Sequence, residues 1–410
     1  MDYAQSQLEE LDITEQTYKK KKQRKKKQKK KKSAKNKQIV IEPIIEQKAS
    51  KSKSNSKSNS KSKSNSKQTI KKRSITTEKS FSPIINKRLV PIESLSRIDF
   101  GICDMDVNES ILLIDIPGIG CQSYDEASAI HFFIEKLRTN KHINPDIIKT
   151  PKQNLKNCWF NTLCAIMFFS DKGRKFYHFF RHLMITGTTN EDEEVFSNKI
   201  KYALFLLNVF IEACLTGNDF ATSFNTNIII DIIHKNTFAR FRYKLYGQDI
   251  AGNPFVYYMT LLDYLNDTST SYKHFEDLQT FNVKDIQDDL HLTNTLIHSG
   301  SLFHKIPDIL ILEIHNEPSK TIKNKQTTIT YNELEYKLDS CIILDTEDTH
   351  FCAFITLEKD DYVYDGEHED GISKQDWKRY LNEDHIIKFN KNRDFNFCSG
   401  YQLLYYYRTK

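Results

Sequence analysis

Cys158 stands in Gln153-Asn-Leu-Lys-Asn-Cys-Trp-Phe-Asn-Thr-Leu-Cys-Ala-Ile-Met-Phe-Phe169. Phe160, Leu163, Cys164, Met167 and Phe168 follow the i, i+3, i+4, i+7, i+8 spacing of one helical face. The positions between them are also largely apolar, which predicts a central helix starting at Cys158 and ending near Gly173. A thiol at a helix N-terminus meets free N–H groups and the positive end of the dipole, and both favour the carbonyl-attacking thiolate. A single cysteine is more often a buried structural side chain. A nucleophilic one needs a base, and the base needs an orienting partner. His350 and Asp365 fill those roles in Thr349-His-Phe-Cys-Ala-Phe-Ile-Thr-Leu-Glu-Lys-Asp-Asp-Tyr-Val-Tyr-Asp365. Phe351, Ala353, Ile355 and Leu357 alternate with period two, so a strand, a turn and a return strand are predicted. A turn centred on Leu357–Glu358 sets His350 opposite Asp365, with Asp361 and Glu367 as the other acids in range.

The elements that must hold these groups follow in a simple order. Long apolar helices run from Pro151 to about residue 270, and strand-like segments dominate from Ile306 onward. Helices followed by strands are the pattern of an α+β domain. Upstream, Ile111-Leu-Leu-Ile-Asp-Ile-Pro117 predicts a short buried strand stopped by Pro117-Gly-Ile-Gly120, and Ala127–Leu137 has helical spacing. The same run looks like a GTPase switch. None of the 12 glycines is followed by Lys, however, so no P-loop accompanies it.

In its ordered boxes the chain resembles the ubiquitin-specific proteases, papain-like cysteine peptidases. Asn157-Cys-Trp-Phe-Asn-Thr-Leu163 is similar to the family's Cys box, with Asn161 three residues after the Cys. Gln248-Asp249 with Leu261-Leu-Asp-Tyr-Leu265 resembles the Gln-Gln-Asp box. Ile306-Pro-Asp-Ile-Leu-Ile-Leu-Glu-Ile314 is similar to the Leu-Pro strand, and Tyr336-Lys-Leu338 to the strand before the His box. His350, Tyr364-Asp365 and the closing Leu404-Tyr-Tyr-Tyr-Arg408 complete the series, which spans residues 153–408. The resemblance implies an α+β, papain-like fold with a helical thumb, an antiparallel β palm and shortened, zinc-free fingers. It implies hydrolysis of the (iso)peptide bond after the C-terminal Gly of ubiquitin by Cys158, His350 and Asp365 through a thioester. Gln153 or Asn154 would donate to the oxyanion, Gln248 and Asp249 would contact substrate, and no cofactor or metal is expected. The alternatives are a catalytically impaired ubiquitin-binding or virion protein of the same fold, and a general papain- or calpain-like endopeptidase, against which stands the lack of Asn-Ser-Trp after His350.

Charge divides the chain. Residues 1–80 hold 25 of the 60 Lys+Arg and 8 of the 54 Asp+Glu, a net of +17; the rest carries 35 basic and 46 acidic groups, a net of −11. The Lys19–Lys37 and Lys51–Lys67 tracts cannot bury apolar surface and are expected to be disordered. They fit a nuclear address or import factor, attachment to nucleic acid, a solubilising tail, or drift in an AT-rich genome such as a giant virus's. The expected division is a basic arm (1–80), an extension of unknown role (81–150) and a catalytic domain (151–410). No secretory signal or membrane span is expected. The eight cysteines form no Cys-x-x-Cys pair, so reduced thiols in cytoplasm or nucleus, without structural zinc, are expected.

Overall fold

The computed structural model describes residues 99–139, 142–188, 196–268, 280–282, 308–314, 323–331, 333–368, 371–388 and 393–409. All belong to one compact unit within 79–410. The basic tracts, and the expected boundary between the arm and the extension at 80/81, lie outside the described residues. Among these residues no helix is long and apolar enough to cross a membrane.

Three strands come first: β1 (Gly101–Asp106), β2 (Ile111–Ile116) and β3 (Gly120–Ser123), antiparallel in that order. Leu112, Ile114 and Ile116 point into the core while Ile111 and Asp115 are exposed. The strand is therefore half-buried rather than fully buried, because only one face of this small sheet is covered. A second expectation also fails here: Cys103 and Cys121 form a disulfide, not reduced thiols. Cys103 sits where the β1 register shifts between Ile102 and Asp104. That bulge brings its Cα to 6.1 Å from that of Cys121, across the intervening strand.

The helices α1 (Ala127–Thr139) and α2 (Cys158–Cys164) follow, and α2 continues directly into a π turn, Ala165–Phe169. Ser170 then breaks the helix with ψ 152° and caps α3 (Asp171–Phe176), accepting from the Gly173 N–H at 3.1 Å and donating to Ile166 O at 2.8 Å. The expected stop at Gly173 is thus displaced to Ser170. Gly173 instead lies in the first turn of α3, where a Cβ would stand 2.0 Å from Ile166 O. Next come α4 (His178–Thr186), α5 (Asn198–Thr216), α6 (Phe220–Ser223), α7 (Asn227–Asn236), α8 (Ala239–Arg242) and α9 (Pro254–Thr268).

The remaining strands are β4 (Thr280–Asn282), β5 (Ile309–Ile314), β6 (Thr328–Tyr331), β7 (Leu334–Leu344), β8 (Phe351–Leu357), β9 (Asp360–Tyr364), β10 (Ile372–Lys374), β11 (Ile387–Lys388), β12 (Asp394–Phe395) and β13 (Gln402–Arg408). The main sheet runs β10-β9-β8-β7-β13-β5-β4, with β6 on β7. Its pairs are antiparallel, as expected, except β4–β5 at one edge, which is parallel. Alternate residues explain why these strands read as continuous apolar runs. Leu403, Tyr405 and Tyr407 of β13 face the helical core, while Leu404 and Tyr406 pack on the opposite side with Trp377, Phe395 and Phe397. Both faces are covered, so both parities must be apolar. The α+β class is borne out.

Candidate active site

The β8–β9 hairpin pairs Ala353 with Tyr364 and Leu357 with Asp360. Its turn is therefore Glu358–Lys359, both at positive φ (46° and 76°), the geometry of a two-residue type I′ turn. The expected register, centred one residue earlier, is wrong by two in the paired sum, and extending the ladder sets His350 opposite Glu367. His350 and Asp365 nevertheless meet. Both lie just beyond the ends of their strands, where a diagonal neighbour remains within reach. His350 Nε2 stands 2.7 Å from Asp365 Oδ1, with the two side chains 0% and 2% exposed. Asp361 is excluded as the orienting acid, being held by Lys378 Nζ at 2.7 Å.

The other ring nitrogen, Nδ1, makes no hydrogen bond, and Glu367 Oε1 is 3.8 Å away. Burial pulls the imidazole pKa down. The Asp365 hydrogen bond, the adjoining Cys158 thiol and their charges outweigh it and leave His350 raised to about 9. With Nε2 taken by Asp365, Nδ1 is the nitrogen left to the thiol, although no geometry there satisfies a hydrogen bond. Burial would raise Asp365, but His350 holds it below the usual carboxylate range.

Cys158 opens α2, which packs on β8. A relay of amides sets its entry. Asn157 accepts from the Asn154 N–H at 2.9 Å and donates to Thr226 Oγ1 at 2.9 Å, and Thr226 donates to Asn161 Oδ1 at 2.7 Å. Upstream, Pro151 O accepts from the Tyr364 hydroxyl at 2.8 Å, and the Gln153 N–H donates to Gly366 O at 2.8 Å. The loop before the cysteine is thereby laid along the segment bearing Asp365. Gly366 permits the approach, since a Cβ there would meet the Gln153 nitrogen at 3.2 Å and the Tyr364 hydroxyl at 2.9 Å.

Lys152, Gln153, Leu155, Gly366, Glu367 and His368 line a cavity of about 390 Å³ beside this arrangement. Gln153 lies on it, but its Nε2 donates to Leu155 O at 3.3 Å while Oε1 is buried without a partner. The Asn154 side chain is exposed. Gln248 and Asp249 are exposed too, in a loop whose next residue, Ile250, accepts from Trp159 Nε1 at 3.2 Å. That bond ties the loop to the residue after Cys158.

Sequence reasoning missed Thr226, Asp345 and Arg393, and admitted Glu367 only as a substitute acid. Arg393 forks onto Glu367 through two bonds of 2.9 Å and reaches Asp345 at 2.9 Å and Thr349 Oγ1 at 2.5 Å. Asp345 accepts from the Thr349 and His350 N–H groups at 2.7 and 3.1 Å. These residues come from separate loops, and no spacing joins them in the sequence.

No known protein family profile matches the chain, and no curated protein does. Among solved structures, the chain is similar to an essential yeast splicing factor at 9% identity and TM-score 0.37, over 73% of this chain and 84% of that one. It is also similar to a SAGA DUB module bound to monoubiquitin, at 8% identity and TM-score 0.43, over 73% and 79%.

Proposed function

We propose that this chain is a thiol-dependent deubiquitinase, with Cys158 as nucleophile, His350 as base and acid, and Asp365 as its orienting carboxylate. The observation that carries this is the buried His350–Asp365 pair at 2.7 Å with the Cys158 thiol against the same imidazole. The proton shared by Cys158 and His350 resides on the imidazole, so the pair acts as thiolate and imidazolium. The thiolate attacks the carbonyl of the terminal Gly of ubiquitin. The tetrahedral oxyanion collapses to a thioester as the imidazolium gives its proton to the leaving lysine amine. Water, deprotonated by His350, then attacks the thioester, and Cys158 leaves as the thiol. Gln153 serves the oxyanion once its Nε2 leaves Leu155 O, or Asn154 does so in its place. Gln248 and Asp249, exposed in the loop that Ile250 ties to Trp159, would contact the substrate tail. The acidic charge of residues 81–410 complements the arginines that the resemblance implies for that tail.

One observation favours catalytic impairment: one of the two Gln153 Nε2 protons is already given to Leu155 O, which turns the amide from the oxyanion. Ubiquitin carrying a C-terminal electrophile decides. Labelling of Cys158, abolished in Cys158→Ala, with turnover of a ubiquitin reporter falling about 10²–10⁴-fold in His350→Ala, is expected. Absence of labelling while Cys158 still reacts with iodoacetamide would remove ubiquitin as the substrate.

A further inference from the structure

Glu367 lies against the one ring nitrogen of His350 that the cysteine needs. Its Oε1 is 3.8 Å from Nδ1, outside hydrogen-bond reach. An anion there is a rival to Cys158: closing by about 1 Å, it would accept a hydrogen bond from Nδ1–H and repel a forming thiolate. Arg393 prevents the closure. Its Nε and one terminal nitrogen bind both oxygens of Glu367, a planar fork that fixes the direction of the carboxylate. Its other terminal nitrogen holds Asp345 and Thr349, and Asp345 in turn holds the His350 backbone N–H. One guanidinium thus restrains both the competing acid and the backbone of the base.

Resting on the function proposed above, we propose that Arg393 is a positioning residue of the catalytic machinery, keeping Glu367 off His350 Nδ1 so that this nitrogen stays available to Cys158. The titratable groups at the imidazole are Asp365 and Glu367 after β9 and Cys158 of α2, while Asp345 after β7 and Arg393 before β12 stand behind them, on the His350 backbone N–H and on Glu367. Of these, Glu367 is the carboxylate whose distance from Nδ1 is set by Arg393. Arg393 also holds the Glu367 carboxyl below its usual range, so it is anionic whenever the site works.

The test uses the full chain and two readouts. The rate of Cys158 alkylation by iodoacetamide against pH, followed by mass spectrometry on the Cys158 peptide, reports thiolate without any protein substrate. Turnover of a ubiquitin reporter gives kcat and KM. Arg393→Ala should slow alkylation near neutral pH and lower kcat, each at least about 10-fold, with KM within about 3-fold. Adding Glu367→Gln should recover most of both losses, because a neutral amide cannot act as the rival anion. A purely structural role for Arg393 would not be relieved in this way. Arg393→Lys retains the charge but not the fork; should Arg393→Ala not fold, it should show a smaller loss, again relieved by Glu367→Gln. Losses that persist in the double variant, or no loss in a folded Arg393 variant, overturn the proposal. Alkylation that follows the expected pattern without turnover of ubiquitin would retain the role of Arg393 and reject the substrate.

Discussion

His350 is a buried imidazole built to keep its proton. Its value of about 9 exceeds the 6.5 of an ordinary histidine, so by linkage its charge stabilises the fold fully below about pH 6.5. That contribution is lost as pH rises through 9. Asp365 works at the other end, contributing above about pH 4 and losing its share as pH falls through its depressed value. Urea midpoints of the wild type minus those of His350→Gln should therefore shrink between pH 6.5 and 9. A difference that stays flat over this window would mean that His350 is neutral in the folded protein. The meeting of His350 with Asp365 was legible in the sequence because period-two alternation marks a hairpin, and a hairpin brings a carboxylate to its histidine. The register was not legible. It depends on Glu358 and Lys359 both accepting positive φ, which neither residue type advertises.

At the scale of elements, a buried ion pair fastens α4 to α5. Arg181 of α4 donates to Asn208 Oδ1 at 3.0 Å and Glu212 Oε2 at 2.8 Å on α5, with Arg181 and Glu212 almost wholly excluded from water. Glu212 stands out in the sequence as a charge within an apolar run, but nothing there names its partner on another helix. Glu212→Leu should lower unfolding free energy by about 3–5 kcal/mol, because it leaves a buried guanidinium without its counter-charge. Arg181→Met with Glu212→Leu should cost far less than the sum of the single changes. Chemical denaturation of the four proteins measures this, and additive losses would show that the pair is not coupled. Helix-then-strand order was readable from hydrophobic period. The break at Ser170 was not, since a π turn lets the apolar run continue through it.

Over the molecule as a whole, the turn that sets the β8–β9 register is also a junction. The Glu358 and Lys359 N–H groups donate to Asp171 at the start of α3, at 3.0 and 3.2 Å. Glu358 in turn accepts from the Ile143 N–H at 3.2 Å and lies 2.9 Å from His142 Nδ1. Residues upstream of the catalytic segment thus help to hold the hairpin, and Phe100, Leu112, Ile114 and Phe133 share a hydrophobic core with α5 and the sheet. The three-stranded unit at that end is closed by Cys103–Cys121, 18 residues apart. Chain-entropy arguments assign such a closure about 3 kcal/mol. Replacing both cysteines by serine should therefore lower thermal stability while Cys158 still reacts with iodoacetamide. Unchanged melting would show that the bridge adds nothing.

That bridge gives the protein two kinds of sulfur with opposite needs. As the proposed nucleophile Cys158 needs a free thiol, while Cys103 and Cys121 stabilise only when joined. A reductant added to protect the first opens the second. In a cool assay, where stability is in excess, activity should simply rise with dithiothreitol and level off. Near the melting range the same titration should pass through a maximum and fall, tracing the handover from a poisoned nucleophile to an unclasped fold.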